Sequence, residues 1–253
     1  YRDRASCLVM RVAALNDVHG NLPALEAALR AAEAEAPDLL VFGGDVAAGP
    51  MPVETIERLG ALGGRARFVR GNGDRMMVEV FDGQREPQVF DGWPAARLDR
   101  AHRDFLASFE PVVEVEVDGL GLVCFCHAVP ADDDRPLVTA ATPDAVVAEA
   151  FAATGAQVVV AGHVHMQFDR LVGGRRWVNA GSVGMPYAAR PGAYWALLGP
   201  DAGLRRTEYD YEAAAAAIRA TGHAPWVDMA DHLVQPHTEE EAIDVFERAA
   251  GRR

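Results

Sequence analysis

Arg11-Val-Ala-Ala-Leu15-Asn-Asp17-Val-His19-Gly-Asn21-Leu-Pro23 decides the fold class. Residues 11–15 are a short apolar run of strand length. A polar cluster follows, and Pro23 then opens a helix that carries Leu22, Leu25, Leu29 and Ala32 on one face. The same plan recurs twice downstream. Residues 39–42 are wholly apolar and run into Gly43-Gly44-Asp45, ahead of a helix over about 53–62. Gly63-Gly64 ends that helix, and residues 66–69 lead into Gly71-Asn72. Three strand–helix repeats whose strands are apolar on both faces predict an α/β fold with a parallel sheet.

Beyond residue 74 the pattern changes. Residues 75–110 read as a mostly helical, amphipathic insert with a loop near 86–94. Val113-Glu-Val-Glu-Val117 alternates strictly, as a half-exposed strand does, and Asp118-Gly119 turns it back into residues 120–126. Asp132-Asp133-Asp134 reads as a solvated loop. Thr142-Pro143-Asp144 starts a helix that ends near Gly155, and residues 158–161 form a strand running to Gly162-His163. A hairpin over 168–172 and 175–178 and strands over 193–198 and 204–209 follow. From Tyr211 the chain is helical and alanine-rich, interrupted by Gly222 and Pro225. No repeat array or flexible linker is visible. The expectation is one domain over 10–210, with the insert at about 75–110 and a helical C-terminal tail over 211–253 packed on it. Residues 1–9 read as an extension, because the first strand begins right after Met10.

Composition narrows the partners. The 253 residues are half apolar and about a quarter charged, ordinary for a soluble globular chain with a sizeable core. A net charge of −13 argues against binding nucleic-acid polymers, whose affinity rests on phosphate neutralisation. An acidic chain can still take a short nucleotide at a metal centre, since the ions supply local positive charge. No apolar run reaches the ~20 residues of a membrane span, and no signal peptide is recognisable. Cys124 and Cys126 project from one face of one strand, a poor placement for a disulfide, and read as reduced core residues. That usage fits a cytoplasmic protein.

Seven polar residues stand just after these apolar runs: Asp17, His19, Asp45, Asn72, His127, His163 and His165. A side chain at such a position can point into a cleft at the carboxyl edge of a sheet. Asp17 and His19 are separated by one residue, as are His163 and His165, so each pair points one way. The set offers carboxylate, amide and imidazole donors and no thiolate. Such a mixture suits two divalent ions, manganese first and iron, zinc or nickel as alternatives, better than magnesium alone. Two ions ~3.5–4 Å apart would hold a bridging hydroxide and clamp a phosphoryl group for in-line attack. A lone histidine is more often a satisfied residue at a core edge, and a lone aspartate a helix cap; seven together are not so explained.

The order D-x-H, G-D, G-N-x-D, H, G-H-x-H resembles that of the calcineurin-like metallophosphoesterases, in particular the bacterial and archaeal small phosphatases and phosphodiesterases. Asn179-Ala-Gly-Ser-Val-Gly-Met-Pro186 is similar to a further segment of that family, and the resemblance spans about residues 10–210. It implies a four-layer αββα sandwich of two mixed sheets flanked by helices. It also implies that Asp17, His19, Asp45 and His165 hold one ion and that Asp45, Asn72, His127 and His163 hold the other. Two positions depart from the family pattern. Gly73 stands where many members carry a leaving-group histidine, and Ala128 follows His127 where they carry glycine. The first departure leaves the general acid unassigned.

Other residues have plainer readings. Asp74 is either a partner to the ligands or a cap before Arg75, and Asn21 either orients substrate or caps the first helix. Ser182 lacks the strand–nucleophile–helix elbow of a nucleophile and reads as turn geometry. Met76, Met77, Val80 and Phe81 read as packing, His102 and Arg70 as surface residues, and His223, His232 and His237 as tail residues that do nothing at the centre. The expected activity is a dinuclear, metal-dependent phosphodiesterase of broad specificity acting on a small phosphate ester or nucleotide. A phosphomonoesterase or nucleotide-polyphosphate hydrolase is the alternative, and a non-catalytic metal-binding scaffold ranks last because all seven donors stand. The chain leaves the physiological substrate, native metal and self-association open.

Overall fold

The computed structural model describes residues 10–252; the stretch over 1–9 assigned above to an extension lies outside them. Strand β1 (Val12–Leu15) leads to helix α1 (Leu22–Ala34), β2 (Leu39–Phe42) to α2 (Pro52–Gly60), and β3 (Ala66–Phe68) to α3 (Asn72–Phe81). The insert continues as the short α4 (Gly92–Ala95) and α5 (Arg100–Ala107). Hairpin β4 (Val113–Val117) and β5 (Gly121–Phe125) precedes α6 (Asp144–Ala150) and β6 (Val158–Ala161). Hairpins β7 (Gln167–Val172) with β8 (Arg175–Ala180) and β9 (Ala193–Leu198) with β10 (Ala202–Thr207) come next, then α7 (Tyr211–Ala220), α8 (Trp226–Val234) and α9 (Glu239–Ala249).

Two five-stranded sheets result, in the orders β10-β9-β1-β2-β3 and β4-β5-β6-β8-β7. β1, β2 and β3 are mutually parallel, and β9 and β10 extend that sheet antiparallel. In the second sheet β5, β6 and β8 are parallel, with antiparallel edges. The alternation of the strands assigns the layers. Val12 and Ala14 face inward with Val41, Ala196 and Leu198, meeting Val123, Phe125, Val158, Val160 and Val178 of the opposite sheet. Ala13 and Leu15 face the other way, onto Leu25 and Leu29 of α1 with Ile56 and Leu59 of α2. Cys124, Val159 and Trp177 likewise pack on Val147 of α6 and Ala242 of α9. Each sheet is thus covered on both faces, giving the αββα sandwich.

Helix α1 begins as its sequence requires. The Asn21 side chain accepts the Ala24 amide at 3.2 Å, so it caps the helix, and proline follows in the first turn. The same amide group donates to Gly184 O at 2.9 Å, so Asn21 also ties α1 to the loop after β8. The last strand, Ala202–Thr207, lies two residues earlier than the expected 204–209. Pairing of Ala202 with Leu198 sets its register, so Tyr209 leaves the sheet and its hydroxyl meets Asn21 at 3.5 Å. Cys124 and Cys126 are free and buried. No helix among the described residues is long and apolar enough to cross a membrane.

Candidate metal centre

The carboxyl ends of β1, β2, β3, β5 and β6 meet at one rim, and loops leaving them bring all seven candidate donors together. Backbone hydrogen bonds lace these loops. The amides of Asp17, His19 and Gly20 donate to Gly44, Asp45 and Val46, and Gly162 donates to His127. Five of the seven candidates, Asp17, His19, Asp45, His163 and His165, have φ between 48° and 69°. Side chains of this kind rarely adopt the left-handed region, which is tolerated where surrounding structure over-determines it, typically at functional sites.

The donors fall into two groups. In one, His19 Nε2 and His165 Nε2 lie 3.0 Å apart, with Asp17 Oδ1 at 4.0 and 3.4 Å from them. In the other, His127 Nε2 lies 3.0 Å from Asn72 Oδ1, 3.1 Å from His163 Nδ1 and 3.5 Å from Asp45 Oδ1. Asp45 stands between them, its second oxygen 3.8 Å from His19 Nε2. These separations suit neighbouring donors around a first-row ion with bonds of ~2.0–2.1 Å.

The outer ring nitrogens fix the donor set. Nδ1 of His19 faces Ala48 O at 3.0 Å, Nδ1 of His127 faces Gly43 O at 2.8 Å, and Nδ1 of His165 faces Met185 O at 2.9 Å. A carbonyl accepts only from N–H, so each ring carries its proton outward and presents a bare Nε2 to the centre when neutral. Asp17 Oδ2 accepts the His163 amide at 2.9 Å, whereas Asp17 Oδ1 is buried with no hydrogen-bond partner. An orphaned carboxylate oxygen beside imidazole nitrogens fits a cation.

Charge at the centre follows burial and crowding. Burial opposes the charge on Asp45, but His127, His19 and His163 hold its carboxyl far below the ordinary range. Burial would discharge His127, yet Asp45 and Asp17 push it up to about 10. His163 falls to about 4 through burial and the neighbouring His127. Asp74 is raised to about 7 by burial and by the Asp45 charge.

Asp74 is both partner and capping residue. Its carboxylate accepts the amides of Asp45 (2.8 Å), Val46 (3.0 Å) and Gly71 (3.1 Å), joining the loop after β2 to the start of α3. Two glycines make room for the donors: a Cβ on Gly71 would lie 2.1 Å from Asp45 Oδ1, and one on Gly162 would lie 2.3 Å from Asp17 Oδ2. Ser182 shapes a turn, donating to Asp17 O at 2.7 Å and accepting the Met185 amide.

Three expectations are corrected. Asp133 is not solvated: Arg70 and Arg75 grip it at 3.3 and 2.9 Å, and the next residue, Asp134, reaches within 3.8 Å of His163 Nε2. His232 and His237, though in the tail, come near the centre, because both line a cavity of about 610 Å³ that opens on His19, Asp45, Asn72 and Gly73. Met76 lines it as well, while its neighbour Met77 is fully buried packing. The two histidines come near because α8 and the turn after it fold back over the centre, which nothing local in the sequence signals. His223 does stay away, stacked on Trp93 at 4.8 Å. His102 caps α5 with Asp99 and is not among the cavity's lining residues. Sequence reasoning missed Tyr187, which stacks on His165 at 5.6 Å and meets His232 and Phe246 edge-on. Its signal was its place, directly after Met185-Pro186.

Comparison with known proteins agrees with this fold. A crystal structure of a hypothetical protein from Pyrococcus horikoshii superposes with a TM-score of 0.77 at 18% identity, covering 90% of this chain and 99% of that one. A metallophosphoesterase from Sphaerobacter thermophilus superposes with a TM-score of 0.70 at 25% identity, covering 89% and 98%. No curated protein matches by sequence. The sequence model of the calcineurin-like phosphoesterase superfamily domain matches residues 10–201, and the chain belongs to that superfamily.

Proposed function

We propose that the protein is a dinuclear phosphodiesterase of broad specificity, with Asp17, His19, Asp45 and His165 at one ion and Asp45, Asn72, His127 and His163 at the other. Membership of the family makes it a metal-dependent phosphoric ester hydrolase; the two-ion centre and the preference for diesters are the proposal. The observation that carries it is Asp45, whose two oxygens face separate donor groups at 3.5 and 3.8 Å. Divalent ions, manganese by preference, supply Lewis acidity toward the phosphoryl oxygens and lower the pKa of water. The protein's own part is positional: three outward protons fix three imidazoles, and Asp74 holds the loop that carries Asp45. Gly73 offers no side chain to protonate a leaving group, which favours diesters with good leaving groups over alkyl monoesters. Two free buried thiols support a cytoplasmic setting.

Metal analysis of the purified, manganese-supplemented protein tests the centre. The expected result is two ions per chain and activity abolished by chelation. Asp45→Ala is expected to lose both ions, and Asn72→Ala to weaken the second only. An Asp45→Ala protein that kept two tight ions and its full rate would overturn the assignment.

A further inference from the structure

Away from the donors, the cavity changes character. Its wall is built by Phe90, from the loop before α4, by Trp226 and Met229 of α8, and by Met76 and Met185. Phe90 is 63% exposed, an unusual state for so large an apolar ring, and lies 5.7 Å from Trp226, ring centre to ring centre. Trp226 is only 3% exposed, yet its indole Nε1 has no hydrogen-bond partner. A buried N–H without an acceptor is disfavoured unless something else supplies one. Arg85, also on the wall, is held by Asp91 at 3.0 Å, which leaves it poorly free to take a second phosphate. Trp226 and Met229 lie beyond residue 201, where the match to the family domain ends.

We propose that this wall is a subsite for a flat aromatic substituent of the phosphate ester, one carrying a hydrogen-bond acceptor at its edge that receives the Trp226 indole proton. The proposal rests on the phosphoesterase reading above. The same cavity reaches His19, Asp45 and Asn72, so a group on this wall can be attached to a phosphate at the centre. Rings supply the tilted faces, and the unbranched methionines adapt to substituents of different outline. Nucleobases and acceptor-bearing aryl groups share this chemistry.

Three diesters with one non-aromatic leaving group, hexafluoroisopropanolate, separate the contributions. Their second substituents are thymidine (through its 5′ oxygen), phenyl and methyl. The metal-loaded enzyme is expected to favour thymidine over methyl by ~10-fold or more in kcat/KM, as base stacking on aromatic side chains does elsewhere, with phenyl between them. Phe90→Ala, at an exposed position, is expected to lower both aromatic-to-methyl ratios. Trp226→Phe, which keeps a ring and removes the donor, is expected to lower the thymidine-to-phenyl ratio. Phenyl equal to thymidine would identify a plain aryl site and overturn the donor role. A methyl ester as good as the aromatic ones would overturn the subsite. Hydrolysis of none of the three would count against the phosphodiesterase reading instead, and the wall is then read without turnover. Thymidine added to the metal-free protein is expected to move the indole N–H resonance of Trp226 saturably, the signal being assigned by its loss in Trp226→Phe. An unmoved resonance would overturn the proposal.

Discussion

At the scale of single residues, the centre is held by backbone that its side chains would not choose. Left-handed conformations at Asp17, His19, Asp45, His163 and His165 cost of order 1–3 kcal/mol each, and interlocked loop amides maintain them. Position 73 shows a different restriction. Gly73 sits in the first turn of α3 without a positive φ, but a Cβ there would come within 3.0 Å of both Asp45 Oδ1 and Ala48. Space, not backbone angle, therefore limits substitution. Gly73→Ala is expected to disturb Asp45 and slow all substrates alike. A well-placed acid is worth ~10²–10⁴-fold, so Gly73→His, compared with Gly73→Ala rather than with the parent, is expected to recover rate chiefly for poor leaving groups. Measuring kcat/KM across diesters of graded leaving-group pKa checks this. Parallel lines for the alanine and histidine variants would show that no missing acid limits the parent.

At the scale of elements, the least legible feature is how α9 is fastened. Glu247 is 3% exposed and accepts from the hydroxyls of Thr139 (2.6 Å) and Thr142 (2.9 Å) and from Arg252 (2.6 Å). These contacts pull its carboxyl down to about 2, with Arg252 foremost. Because the folded value lies below the ordinary one, the contribution to stability is full above about pH 4.5, the ordinary value, and fades as pH falls toward 2. Glu247→Gln is expected to destabilise by about 1–3 kcal/mol at neutral pH, or roughly 2–10 °C in Tm. The difference from the parent should shrink on acidification; melting curves from pH 7 to 3 read this, and a constant difference would contradict it. Strands were legible because alternation and apolar runs are local: β1, β2, β4 and β6 all stand where periodicity placed them. So was the gathering of Asp17, Asp45, Asn72, His127 and His163, since each follows such a run. The Glu247 node joins residues about a hundred positions apart, and Trp226 reaches the cavity only through the packing of α8. Neither leaves a periodic trace. Asp133 misled for the same reason: its solvation depends on Arg70 and Arg75, which arrive from another element.

At the scale of the whole molecule, two sheets with separate helical layers share one rim, and much of what is costly is concentrated there. Five left-handed residues, buried carboxylates and crowded imidazoles meet where β1, β2 and β3 of one sheet face β5 and β6 of the other. A ligand that binds this arrangement and not the unfolded chain stabilises the fold by mass action, by ~2.7 kcal/mol at a hundred times its Kd. For a chain of this size that corresponds to a rise on the order of 5–10 °C in Tm. Manganese is therefore expected to raise the melting temperature in a concentration-dependent way, and a chelator to reverse it. The donors span both sheets, so the rise should appear in one cooperative transition rather than in a separate melting of one half. Asp45→Ala removes the residue between the two donor groups, and its melting temperature is expected to respond little to manganese. Calorimetric scans of parent and variant across a manganese titration measure both quantities. A parent whose Tm stays fixed at manganese concentrations that restore activity would show that the rim is already satisfied without an ion, and the strain there would need another cause.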